Sequence, residues 1–333
     1  MAKFLLYTCK LIVFSLLFLT ACEVSEDEDV IAQIEVQETE EGSFTFVHKD
    51  TEFFITTFFD HALEYVSLAR ESDRGEWERI YRETILEPFR LIARGGKHRI
   101  NSLDEGNFRY SYRLDEYESY INLIKERQDE ILEAVILSLN ESTELLPSKL
   151  PINIFLFVAN PEEAYYNQYV SGVSGFADKD RNIVIHLDPI SLDIDILKYI
   201  SAHEYHHAIV FEDMIVNRRP LDFLEQKIIM EGKADTFAQL IYPDTHVPWL
   251  DQLEEEEHVW NIMKKVMEPD SNLSVDFFRG NHGMRIPMAS NYKIGYQIMQ
   301  DFLENNPEVT LEEWTAMWAT EILEKSKFED RFK

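Results

Sequence analysis

Apolar and polar positions change their period several times along the chain. Between residues 30 and 60 the pattern is mixed: 30–36 and 44–47 read as short strands, and 53–59 is an apolar run that periodicity alone does not assign. From 77 to 140 the spacing becomes helical, with Ile121, Ile124, Ile131, Val135 and Leu139 mostly on one face. A boundary loop is expected at 141–151, which holds Pro147 and Pro151. Residues 152–158 (INIFLFV) and 182–187 (NIVIHL) are rich in β-branched and aromatic side chains and predict two strands. The stretch between them, with Gly172-Val173-Ser174-Gly175, reads as a loop and lacks the G-x-S-x-G spacing of a nucleophile elbow. Beyond Pro189 the pattern is helical almost to the C-terminus, broken near Pro220, Pro243, Pro269 and Pro287. The fold class expected is mainly α with a small β-sheet (α+β).

Composition narrows the function. A net charge of −30 over 333 residues argues against a nucleic-acid partner, because a phosphate backbone is gripped by clustered Lys and Arg. The cysteines are Cys9 and Cys22, both near the N-terminus, so the body has no thiol for a disulfide scaffold, a thiolate metal site or a cysteine nucleophile. Residues 1–21 carry Lys3 and Lys10 as their only charges, followed by an apolar run at 11–19 that has the length of a signal-peptide core. Leu19-Thr20-Ala21-Cys22 resembles the lipobox of bacterial lipoproteins, which implies cleavage before Cys22 and its lipidation. A plain secretory signal or an uncleaved anchor is the alternative. The expected layout is a lipoprotein signal peptide at 1–21, an acidic tether at 22–45, a mostly helical region at 46–150 and a catalytic domain at 151–333. The expected location is extracytoplasmic, with the chain held to the bacterial cell membrane by its lipid.

The chemistry concentrates at His203-Glu204-Tyr205-His206-His207, which contains H-E-x-x-H. Residues four apart share a helix face, so His203 and His207 can present both imidazoles to one ion. Ile196, Ile200, His203, His207, Val210 and Met214 form one helical stripe, so both histidines lie on a core-facing side. Asp193 or Ser191 can cap the start of this helix, and Asn217 with Pro220 can end it. A chance match, or two core histidines bonded to ordinary partners, would explain the motif alone. The next helix, expected over 221–242, weighs against both. Its stripe Leu224, Ile228, Glu231, Asp235, Ala238 carries two carboxylates, which are costly on a buried face unless paired or bound to a metal. A single Zn2+ held by His203, His207 and Glu231 reconciles the two faces. Asp235 is placed to accept the N–H of a ligand histidine, and Glu204 to take a proton from water.

H-E-x-x-H followed on a later helix by E-x-x-x-D resembles the gluzincin zinc metallopeptidases. Ala202-His203-Glu204-Tyr205-His206-His207, Glu231-Gly232-Lys233-Ala234-Asp235 and Asn291-Tyr292-Lys293-Ile294-Gly295-Tyr296 are similar to the predicted Zn-dependent protease family of the bacillar YjaZ type, over roughly residues 150–305. The resemblance implies a zincin-like catalytic domain, a hydrolase that cuts peptide or protein substrates, and Glu204 as general base. It also implies that the strand at 182–187 offers an edge to an extended peptide. Candidates for stabilising the oxyanion are His282, Tyr292 and Tyr296. The tyrosines share a stripe with Met299 and Leu303, which more often means packing, and His282 sits between Asn281 and Gly283 in what reads as a loop. His206 lies about 100° around the helix from His207 and is not expected to bind the ion. The tetrad at 254–257 reads as a solvated helix face. A non-catalytic zinc-binding lipoprotein, using the same site for metal capture or structure, is the rival expectation.

Overall fold

The computed structural model describes residues 35–40, 42–94, 108–217, 224–251, 253, 255–265 and 274–331. The leader, Cys22, most of the tether and Pro220 therefore lie outside the described residues. The chain enters a six-stranded sheet through a meander of β1 (Gln37–Glu40), β2 (Ser43–His48) and β3 (Thr51–Thr57). In β3, Thr51, Phe53 and Ile55 are buried while Glu52 and Phe54 between them are exposed, the period-two alternation of a strand with one covered face. The end of the expected tether is thus part of the sheet, and the unassigned run at 53–59 is the last part of β3 and the start of a helix.

Helices α1 (Phe59–Arg70), α2 (Trp77–Tyr81), α3 (Glu87–Arg94), α4 (Leu114–Glu126) and α5 (Gln128–Leu145) follow, with a π turn at Arg82–Leu86 joining α2 to α3. The chain then returns to the sheet with β4 (Ile152–Val158), which is buried on both faces and reads as the continuous apolar run typical of a central parallel strand. After α6 (Ala164–Tyr169) come β5 (Val173–Ala177) and β6 (Asn182–Leu187). The rest is helical: α7 (Ile194–Asn217), α8 (Leu224–Ile241), α9 (Glu256–Lys265), α10 (Ser274–Arg279), α11 (Ser290–Asn305), α12 (Leu311–Ala316) and α13 (Ala319–Glu324). The α+β expectation holds. No described helix is long and apolar enough to cross a membrane.

The sheet order is β1-β2-β3-β4-β6-β5, with β3, β4 and β6 parallel to one another and the remaining pairs antiparallel. Two expectations change here. First, β3 pairs directly with β4, from Phe53 opposite Ile152 to Thr57 opposite Leu156, and one apolar core runs through both halves. Residues 46–150 and 151–333 are therefore not separate bodies, because a shared sheet and core cannot be divided at residue 150. Second, β6 is an interior strand. The edge beside the H-E-x-x-H helix is β5, in the segment expected to be a loop. Its glycines hid it, since Val173-Ser174-Gly175-Phe176-Ala177 lacks the β-branched density that marks an isolated strand.

Helices cover the sheet on both faces. Rings of Phe58, Phe89, Phe155 and Phe157 interlock with centroids 4.5–6.2 Å apart on one side. On the other, Tyr205 of α7 packs against Phe53, and its hydroxyl donates to the Leu146 carbonyl at 2.7 Å. Ser138 of α5 donates to the Lys198 carbonyl at 2.7 Å, fixing α5 against α7.

Candidate metal centre

Helix α7 starts where expected: the Asp193 carboxylate accepts from the backbone N–H of Asp195 at 2.9 Å and of Ile196 at 3.2 Å. From that cap the 3.6-residue period carries His203, Glu204 and His207 inward, and all three are buried. Helix α8 lies alongside and brings Glu231 opposite them. The His203 and His207 Nε2 atoms are 3.1 Å apart, and Glu231 Oε2 lies 3.3 Å from the first and 3.2 Å from the second. Those three atoms form a potential metal-binding group. Donors bound tetrahedrally at ~2.0–2.1 Å from zinc would be about 3.3 Å apart, so the triangle has the size the ion requires.

The surroundings hold this triangle in place. Asp235, one turn after Glu231, receives His203 Nδ1 on its Oδ1 at 3.1 Å, which leaves Nε2 turned toward the other donors. The same oxygen accepts the Tyr199 hydroxyl at 3.1 Å and the Trp249 indole N–H at 3.2 Å. Burial tends to raise the Glu231 carboxyl, but the His207 charge and the hydrogen bonds of both histidines outweigh it and bring its pKa to about 2. A buried carboxylate anion facing two imidazoles suits a divalent cation.

This chain matches the family described as "Predicted Zn-dependent protease (DUF2268)" over residues 132–324, more than half its length. The chain belongs to that family. It is also 23% identical over 195 residues to the Bacillus subtilis protein named "Uncharacterized protein YjfC", an alignment covering 55% of this chain and 64% of the relative. The chain thus spans less than two thirds of the curated relative it matches. No solved structure matches it. The family match starts within α5 and ends at the end of α13, so it contains the whole donor set and omits β1–β3 and α1–α4.

Within this member of the family, Glu204 lies between the donors and the sheet edge, in contact range of Gly175 of β5. Its Oε2 is buried with no hydrogen-bond partner, and burial lifts its pKa against the pull of His203 and His207. Gly175 of β5 is the reason it fits: a Cβ there would lie 2.8 Å from Glu204 Cγ and 3.0 Å from Oε1. Helices α8 and α11 also cross at glycines, since a Cβ on Gly232 would fall 2.1 Å from the Gly295 carbonyl. This close crossing sets the Tyr292 ring 6.0 Å from that of His203.

Of the three oxyanion candidates, Tyr292 lines the cleft in front of the donors. Tyr296 is not among the cleft residues. His282 is exposed in a 3-10 turn at His282–Met284 and also lies outside the cleft, so two of the three are not brought to the site. As expected, His206 faces away and reaches Thr315 Oγ1 at 3.2 Å. The residues that sequence reasoning missed are Gly175, Tyr199, Trp249 and Tyr166, the last a lining residue from α6. Tyr199 precedes His203 by four positions on the same stripe and could have been found. Trp249 and Gly175 arrive from other elements and left no local signal.

Proposed function

We propose that this protein is a zinc metallopeptidase that hydrolyses peptide bonds outside the cytoplasm, held to the membrane by a lipid on Cys22. The observation that carries the reading is Glu204, a buried carboxylate with a free oxygen beside a triangle of donors sized for zinc. A zinc ion held by His203, His207 and Glu231 would supply Lewis acidity and bring a water's pKa near 7. Glu204 takes the proton of the attacking water and hands it to the leaving amine. Asp235 keeps the His203 tautomer with its N–H on Nδ1. Tyr292, which lines the cleft with its ring 6.0 Å from that of His203, is the residue suited to donate its hydroxyl to the carbonyl oxygen as charge develops there.

The substrate's backbone has a natural seat on β5. Its outer edge is unpaired among the described strands, and an extended peptide can add to it as a further strand. Gly175 then brings that peptide against Glu204. The decisive test is Glu204→Gln in zinc-loaded protein, assayed on a peptide mixture by mass spectrometry. The variant is expected to keep one zinc per chain and to lose hydrolysis by at least ~1,000-fold. Zinc retained with hydrolysis undiminished would remove the peptidase reading and leave metal capture in its place. Exchange of Cys22 for Ser, followed by fractionation and mass measurement, tests the anchor: loss of a lipid adduct and release from membranes is the expected result.

A further inference from the structure

The cleft does not stop at the metal side. Its cavity, about 940 Å³, wraps around the free edge of β5 and continues on the opposite face of the sheet. The register explains this. Gly175 pairs with Ile185 and faces Ile200 and Glu204, whereas Ser174 pairs with His186 and Phe176 with Val184, so both turn to the other side. There the cleft meets Phe157 of β4, whose ring stacks with His186 at 5.5 Å, and two tyrosines from the N-terminal helices, Tyr81 of α2 and Tyr117 of α4.

Those tyrosines are the unusual element. Each is more than nine-tenths buried and lines the cavity, yet neither hydroxyl has a hydrogen-bond partner among the described residues. Their neighbour Tyr65 shows the ordinary arrangement, its hydroxyl donating to the Ser111 carbonyl at 2.8 Å. Nor does the nearby Glu162 serve them, because its carboxylate receives Ser111 Oγ at 3.0 Å and the Tyr112 N–H at 2.7 Å. Neither phenol oxygen is fully shut off from the cleft, so both hydroxyls open on it and are free to bond a ligand that enters.

Flat apolar walls with two free hydroxyls at hand fit a planar apolar group with a polar tip. We propose that this far lobe is a specificity subsite for a tyrosine side chain of the peptide lying along β5. Successive side chains of an added strand alternate between faces, so the residue beside the one facing Glu204 enters the far lobe. The inference rests on the peptidase reading for its substrate, but the subsite itself is a binding site and can be tested without turnover. A site built around hydroxyl partners discriminates against an analogue that lacks the hydroxyl, because its own polar groups then stay unpaired.

The test uses zinc-loaded full-length protein carrying Glu204→Gln and fluorescent peptides that differ at one position at a time. Binding is expected to be at least ~10-fold tighter for Tyr than for Phe at one position, and weaker again for Ala. In the double variant Tyr81→Phe/Tyr117→Phe the Tyr-over-Phe preference should vanish while Phe over Ala persists. Ser174→Trp, which fills the lobe from the strand, should abolish both. A second arm measures cleavage of the same peptides by protein with Glu204 intact. Cleavage without an aromatic preference, or with one that survives Tyr81→Phe/Tyr117→Phe, overturns the subsite and leaves the peptidase reading standing. Selective binding with no cleavage does the reverse. Neither binding nor cleavage of any peptide removes both.

Discussion

The two faces of the α7–α8 pair make an instructive contrast. Each carries largely buried polar groups contributed by both helices, one residue apart on α7 and two apart on α8: His207 and Glu231 in front, His206 and Lys233 behind. Behind, the groups meet partners from the C-terminal helices. Lys233 Nζ donates to the carbonyls of Thr315 at 3.0 Å and Met317 at 2.6 Å, and the His206 ring stacks on Trp314 at 5.4 Å. Burial, with the charges of His207 and Lys233, keeps His206 well below its usual pKa, and so neutral. In front, three donors face one another at 3.1–3.3 Å and open on a cleft. The rear cluster takes its partners from its own chain, with His206 Nδ1 alone left without one, whereas the front donors converge on a point that only something added can fill.

The sharpest way to break this contrast is to compare adjacent histidines. His207→Ala should weaken zinc binding by roughly 1,000-fold, read by competition with a chelating dye, while His206→Ala should change it less than about threefold. Equal losses would mean that the rear face also belongs to the metal centre. Next in size is Asp235→Asn, which disturbs the oxygen shared by His203, Tyr199 and Trp249. It is expected to cost about 10–100-fold in zinc affinity with all three donors intact.

On the rear face, Lys233→Met should lower unfolding stability by about 2 kcal/mol in urea titration, since the Thr315 and Met317 carbonyls lose this donor. Zinc stoichiometry should stay at one. The smallest effect concerns His186, part-buried on the far side of the sheet. Burial lowers its pKa to about 4 from the ordinary 6.5, so the unfolded chain binds the proton more readily across that interval. Stability therefore falls as pH drops through the interval, by about 1 kcal/mol between roughly pH 7 and pH 5.5. His186→Phe should flatten that slope in thermal melts, and an unchanged slope would place the titrating group elsewhere.

The candidate metal centre was legible in the chain because its parts obey local periods. His203 and His207 share a turn, as do Glu231 and Asp235, and burial of charge on an apolar stripe gave the reason to join the two helices. The central strands β4 and β6 were equally plain, since parallel strands covered on both faces are apolar throughout. The expectations that failed depended on who sits beside whom. Residues 173–177 read as a loop because glycine weakens strand patterning, yet Gly175 is small so that the strand can approach Glu204. His282 looked available for catalysis from its loop, but the turn carries it to the surface. The divide at residue 150 followed a proline-bearing loop, and β3 crosses it by pairing with β4.

The far lobe had no sequence signature. Tyr81, Tyr117, Phe157 and Ser174 come from four elements, and none is spaced to suggest the others. The amino-acid sequence by itself determined the donor chemistry, because helix periodicity is local and turns residue spacing directly into a shared face. Only the tertiary structure decided which strand forms the edge, which of the candidate tyrosines lines the cleft and how the cleft turns around β5. Those depend on contacts between residues distant in the chain, where spacing carries no information and packing alone chooses the neighbours.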